Sequence, residues 1–146
     1  MAEEKKDLRI RKTQRELAAA LLTLLEKISF GNITVNDIFT QAMVSRSAFY
    51  AHFDDKYALL RMCADGLMQQ LFGGVKESGT PLRWQDVLEK VKENVKIFRN
   101  LMLADQDVEV MELTRASFHR GFEALLATHP KMQDGLPGLA EVVSVY

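Results

Sequence analysis

Residues 44–53 read VSRSAFYAHF and carry an unusual set of groups for one short segment. Ser45, Ser47 and Tyr50 offer hydroxyls, Arg46 a guanidinium and His52 an imidazole, and no Asp or Glu stands among them. Phe49 and Phe53, four apart, share one side of a helix and leave the other groups to the opposite side. A face that donates hydrogen bonds and presents no acid is suited to a polyanion. Tyr50 and His52 can donate to phosphate oxygens. Arg46 can pair with a guanine edge or a phosphate, and Ala48 and Ala51 leave room for close approach or a thymine methyl. Ser47 adds little bulk at the helix tip. Taken alone, Tyr50 and His52 also read as ordinary surface residues, and exposed arginines are common.

Other chemistries find less support. His52, His119 and His129 lack the spacing of a metal site, and the single Cys63 cannot complete one. Cys63 falls in an apolar helical pattern and reads as a buried thiol. "GVKESGT" has glycines at phosphate-loop spacing, but Thr80 and Pro81 stand where Lys and Ser/Thr are needed. No Ser/His/Asp arrangement stands out. An all-α enzyme would need a clustered acid, base or metal, and the sequence offers none, so no enzyme, metal or cofactor is expected.

The chain has 146 residues, 47% of them hydrophobic, and a net charge of −1. That suits one domain or two small ones with a packed core. A near-neutral balance requires any nucleic-acid reader to gather its positive charge locally. One cysteine permits no intrachain disulfide and fits a reducing compartment. The start, MAEEKKDLRIRK, has no signal-peptide core, and no apolar run approaches the ~20 residues of a membrane span. A cytoplasmic protein without membrane contact is expected.

These residues need helices to hold them, and helical periodicity runs through nearly the whole chain. Leu17, Leu21, Leu24, Leu25 and Ile28 predict a first helix over about 9–29, stopped near Gly31. Thr34 and Asp37 form a capping-box pattern that opens a second helix, with Val35, Ile38, Phe39 and Ala42 inward. Met43 and Val44 turn the chain, Ser45 caps a third helix ending near His52, and Asp54 or Asp55 caps a fourth. The fourth carries its stripe on Tyr57, Leu60, Leu67 and Leu71, and GGVKESGTP follows as a linker. A long helix, straight or kinked, is predicted on Trp84, Leu88, Val91, Val95, Phe98 and Met102. Another, begun by Asp105 and Asp107, uses Val108, Met111, Phe118, Phe122 and Leu125. THPKMQDGLPG breaks the pattern, and LAEVVSVY begins a new apolar helix.

The short second and third helices have the arithmetic of a helix-turn-helix, whose second helix enters the major groove N-terminal end first. Asn36 sits early in the bracing helix, within reach of the groove edge. Lys56, in the first turn of the fourth helix, can meet a phosphate. Lys5, Lys6, Arg9, Arg11 and Lys12 form an arm interleaved with Glu3, Glu4 and Asp7, which reads equally as a binding arm or a solvated end.

The run ITVNDIFTQAMVSRSAFYAHFDDKYALL resembles the DNA-binding segment of TetR/AcrR-type bacterial transcriptional regulators. The resemblance spans about residues 9–60; beyond, only the helical layout is similar. It implies phosphate contacts from Thr34, Tyr50, His52 and Lys56. It also implies base-edge contacts from Arg46, Ser47 and Asn36, with Ser45 and Ala48 at the same helix tip. One position departs: Met43 stands where the family usually has Gly, and a positive φ there would cost Met of order 1 kcal/mol.

The fold expected is all-α: a helix-turn-helix domain over residues 1–53, then a helical ligand-binding and dimerisation domain of TetR type over 54–146, incomplete at its C-terminus. The function expected is sequence-specific binding of double-stranded operator DNA by a homodimer, a repressor released by a small-molecule effector. Met62, Trp84, Phe98, Met102, Phe118 and Phe122 are candidate pocket residues, with core packing as their default reading. Arg115 is a weaker candidate for an anionic effector, and His119 reads as a rim or surface residue. The rival is a helical protein-interaction module, or a regulator controlled by a protein partner.

Overall fold

The computed structural model describes residues 1–72, 84–102 and 107–128, all helix, turn or loop. The predicted linker at 73–81, Asp105 and everything from His129 on lie outside the described residues. Seven α-helices form the described chain: α1 (Ala2–Leu25), α2 (Val35–Gln41), α3 (Arg46–Tyr50), α4 (Lys56–Phe72), α5 (Trp84–Glu93), α6 (Val95–Met102) and α7 (Val108–Thr128). A 3-10 turn, Phe30–Asn32, joins α1 to α2. Among the described residues no helix is long and apolar enough to cross a membrane.

The N-terminal elements are built on local signals. Thr34 caps α2: its hydroxyl accepts from the Asp37 N–H (3.1 Å), while the Thr34 N–H donates to Asp37 Oδ2 (2.9 Å). Those hydrogen bonds, led by the one from the Thr34 hydroxyl, hold the Asp37 carboxyl below its ordinary pKa. Ser45 caps α3 by accepting from the Ala48 N–H (3.1 Å), and Asp55 accepts from the Ala58 N–H (2.8 Å) at the start of α4. Each such cap is worth about 1 kcal/mol.

The first helix begins and ends earlier than its stripe predicts. It closes at Leu25, and Ile28 lies beyond it, 40% exposed. Leu17, Leu21, Leu25, Phe30, Ile33, Ile38 and Phe49 are almost wholly buried, and the same core continues through Leu59 and Leu60 to Ile97, Leu101, Val110 and Leu113. A smaller cluster holds Met68, Leu71, Phe72, Val87, Phe122 and Leu125.

Two apolar stripes fall elsewhere than predicted. The chain breaks at Asn94, whose side-chain amide donates to the Lys90 carbonyl (2.9 Å), so α5 and α6 are separate helices. The break changes the phase of the pattern. Val87, Ile97 and Leu101 are buried, whereas Leu88 and Val95 are exposed. On α7 the inward face is Val110, Leu113, Thr114, Ser117, Phe122 and Leu125, and Val108 and Met111 face solvent. Thr114 fits there because its hydroxyl donates to the Val110 carbonyl one turn back (2.7 Å).

Candidate nucleic-acid interface and regulatory cleft

The helix-turn-helix presents the residues that the sequence singles out. Phe49 is fully buried and Phe53 nearly so, which anchors α3 and turns its other side outward. Ser45, Arg46, Ser47 and Tyr50 are exposed, and Ala48 and His52 are half-buried. Thr34 and Asn36 are exposed at the start of α2. From residue 38 to residue 53 the sequence contains no acid, and Arg46 is its one formal charge. The Arg46 guanidinium lies 5.7 Å from the centre of the Tyr50 ring, a cation–π contact that gathers the cation and the phenol into one patch. The hydroxyls of Ser45 and Ser47 lie 3.0 Å apart at the N-terminal end of α3.

Two expected phosphate ligands carry structural duties. The Thr34 hydroxyl donates to Asp37 Oδ2 (2.6 Å), so its proton is already used in the cap. Lys56 departs further from expectation. Its ammonium donates to the carbonyls of Ile33 (2.8 Å), Phe30 (3.0 Å) and Gly31 (3.4 Å) and lies 4.6 Å from the centre of the Phe30 ring. An ammonium has three N–H donors, and these carbonyls take them. The Phe30 carbonyl accepts the Ile33 N–H within the 3-10 turn (3.1 Å), and Lys56 adds a charged donor to its second lone pair and to the carbonyls of Gly31 and Ile33. Lys56 therefore ties the start of α4 to the turn that joins α1 and α2. Within the N-terminal arm, Arg11 pairs with Asp7 (3.0 Å) and Lys12 with Glu16 (3.8 Å) along α1.

The turn between α2 and α3 keeps the backbone that glycine would favour. Met43 has φ 54° and is 92% exposed.

Beyond the head, a cleft of about 1090 Å³ opens among α4, α5, α6 and α7. That is slightly above the roughly 300–1,000 Å³ of small-molecule pockets. Met62, Met68 and Phe98 give it apolar wall, and Asp65, Lys90 and Arg120 give it charge. Of the six expected pocket residues, Met62 and Phe98 line it. Phe122 instead belongs to the smaller core, and Phe118 stacks on it with rings 6.4 Å apart and nearly parallel, on a face outside the cleft. The α7 residues that do face the cleft are Ser117, Arg120, Gly121, Ala124 and Leu125. The side chains of Trp84 and Met102 lie outside the described residues.

Sequence reasoning missed the cleft's polar cluster. Arg120 donates to Asp65 Oδ1 (2.7 Å) and to the Ser117 hydroxyl (3.0 Å). Burial alone would raise the Asp65 pKa, but hydrogen bonds from Arg120 and Ser117, with the charges of Arg120 and Arg61, bring it below the ordinary carboxylate value. His119 sits on α7 beside Glu123 (3.4 Å), part-exposed as expected. Among the described residues no group of three or more His, Cys, Asp or Glu could hold a metal ion. Cys63 is buried, and burial pushes its thiol up to about 12.

Reasoning from the sequence also missed the joint between head and cleft. The Tyr57 hydroxyl donates to Asp107 Oδ2 (2.7 Å), and Asp107 Oδ1 accepts from the N–H of Glu109 (3.0 Å) at the start of α7. The Tyr57 ring meets Phe30 edge-on, centroids 5.2 Å apart. The hydrogen bond to Asp107 drives the Tyr57 pKa up to about 12 and lowers that of Asp107. No spacing rule announces this contact, since its partners are fifty residues apart.

Comparison with known proteins agrees with this geometry. Residues 17–63 match the family model described as bacterial regulatory proteins, tetR family. The described fold is similar to the crystal structure of a TetR transcriptional regulator from Streptococcus agalactiae 2603V. The two share 22% identity at a TM-score of 0.62, over 99% of this chain and 87% of that one. No curated protein sequence matches the chain. The helix-turn-helix of this chain, residues 17–63, is thus similar to that of the bacterial regulatory proteins of the tetR family.

Proposed function

We propose that this chain is a sequence-specific repressor that binds operator DNA as a homodimer and is released by a small molecule held in the α4–α7 cleft. The observation that carries the DNA reading is the acid-free, exposed face of α3, seated on buried Phe49 and Phe53. In this reading Arg46 and Ser47 meet base edges, with Asn36 at the groove's rim. Tyr50 and His52 hold phosphates, and Ser45 and Ala48 shape the helix tip. A two-fold dimer sets its reading heads about one DNA turn apart, ~34–36 Å. Residues 1–53 then act as the reading head and 54–146 as the regulatory part.

Helix α4 is the element able to couple the two. It carries Lys56 under the head, Tyr57 at the joint and Asp65 in the cleft. A ligand that draws Arg120 from Asp65 would alter how α4 and α7 pack. Its leverage equals its differential affinity for the two arrangements, typically about 1–3 kcal/mol.

Duplexes selected by the full chain from a random-sequence pool provide the test. Affinity should fall as salt rises, with a slope set by the number of phosphates that Arg46 and the cations of the N-terminal arm neutralise in the dimer. Tyr50→Ala should weaken all duplexes alike, while Arg46→Ala should relax preference at one base pair, by ~1–3 kcal/mol. Salt-independent binding, or variants that bind as the parent does, would reject the assignment of α3.

A further inference from the structure

Met43 is the one non-glycine residue with positive φ among the described residues, at 54°. In that region the Cβ of an L-residue crowds the following carbonyl oxygen. The turn explains the backbone: the Met43 N–H donates to Thr40 O (3.1 Å) and the Val44 N–H to Phe39 O (3.0 Å). A glycine would serve both bonds without strain. Packing does not compensate, because the side chain is 92% exposed. A large apolar side chain is thus held in water, on a strained backbone, with no return inside the molecule. Strain kept without a structural return points to an external contact.

Its position says which. Met43 lies two residues before Ser45, the N-cap of α3, and so within about 7.6 Å of it along the chain. That is the helix end expected to enter the major groove first. We propose that Met43 is a specificity-determining residue whose side chain lies against a thymine C5-methyl beside the base pair met by Arg46. The thymine methyl is the apolar feature of the major groove, and a flexible thioether chain adapts to it. This inference rests on the DNA-binding reading above.

The experiment uses the full chain and the duplex that the parent selects from a random pool. Met43→Gly and Met43→Asn both suit positive φ and remove the apolar chain; Met43→Leu keeps it. The Gly and Asn variants should melt no lower than the parent yet bind the selected duplex about 5- to 20-fold more weakly, at about fourfold per methylene buried. Their affinity for a scrambled duplex should not change, and Met43→Leu should stay within about twofold of the parent on both. Replacing one thymine by deoxyuridine, which removes only the methyl, should weaken the parent by a similar factor and leave Met43→Gly unaffected. Parent-like affinity of well-folded Gly and Asn variants overturns the proposal while the DNA reading stands. A parent that selects no duplex overturns the functional reading, and this inference with it.

Discussion

The reading head and the cleft-bearing helices differ in how each holds its shape. In the head, short helices of seven and five residues are fixed by side-chain caps at their own N-termini and by residues with almost no exposure. In the remainder, longer helices leave Leu88, Val95, Val108 and Met111 more than half exposed and enclose a cleft whose polar groups pair across α4 and α7. One part is arranged to present a fixed surface. The other has closely packed helices around a space that can be filled, as the proposed release by a small molecule requires.

The largest test of that contrast is Phe49→Ala. It empties the centre of the head's core and should cost about 3–5 kcal/mol. Urea unfolding should show this, and DNA binding should vanish with it. If the variant lost little stability, the head would not be the rigid member of the pair.

Next comes Lys56→Met, which keeps the apolar stem but leaves the carbonyls of Phe30 and Ile33 without their charged donor. A loss of about 1.5–3 kcal/mol is expected. A phosphate ligand on the surface would instead leave the melting temperature unchanged and alter only the salt dependence of DNA binding.

Two helix glycines sharpen the comparison on the responsive side. A Cβ at Gly66 would meet nothing within 4 Å, so Gly66→Ala should stabilise by about 1 kcal/mol through helix propensity alone. A Cβ at Gly121 would sit 3.0 Å from the Met68 Cβ, an atom fixed to the α4 backbone. Gly121→Ala should therefore force α4 and α7 apart and destabilise by roughly 1 kcal/mol despite the same propensity gain. Equal denaturation midpoints for the two variants would show that the α4–α7 seam is looser than the structure has it.

The smallest effect at neutral pH belongs to Tyr57→Phe, and its signature lies in pH. Asp107 titrates below its ordinary 3.8 in the folded chain, so its contribution is present above that value and is lost as pH falls through the lower folded value. Tyr57 is raised from 10.0 to about 12, so its contribution is complete below pH 10 and lost as pH climbs towards 12. Denaturation midpoints of parent and variant should differ between these limits and converge beyond them. A constant offset at every pH would show that the joint is not held by this hydrogen bond.

The same contrast explains what could be read from the sequence. Caps are local, so Thr34 with Asp37, and Ser45 three residues before Ala48, announced α2 and α3 directly. The acid-free run and the four-residue spacing of Phe49 and Phe53 exposed the candidate interface for the same reason. The bonds from Lys56 to the carbonyls of Phe30, Gly31 and Ile33 are not legible in the sequence, because backbone atoms are partners that no residue type advertises. On α7 the inward Thr114 and Ser117 disguised the buried face, and the break at Asn94 moved the stripe of α6 out of register. The cleft and the joint depend on pairs fifty or more residues apart, beyond any local pattern.

Asn100, on α6, donates its amide to the carbonyl of Leu25, the last residue of α1, at 2.6 Å. The segment that matches the family model, 17–63, thus has one of its helix ends closed by a side chain that lies outside it. Anyone excising that segment, or splicing it onto a foreign sensor, would leave this carbonyl open unless the new neighbour supplied a donor. A chimaera that keeps Asn100 and Asp107 should inherit a firmer junction than one cut at the segment's apparent edge.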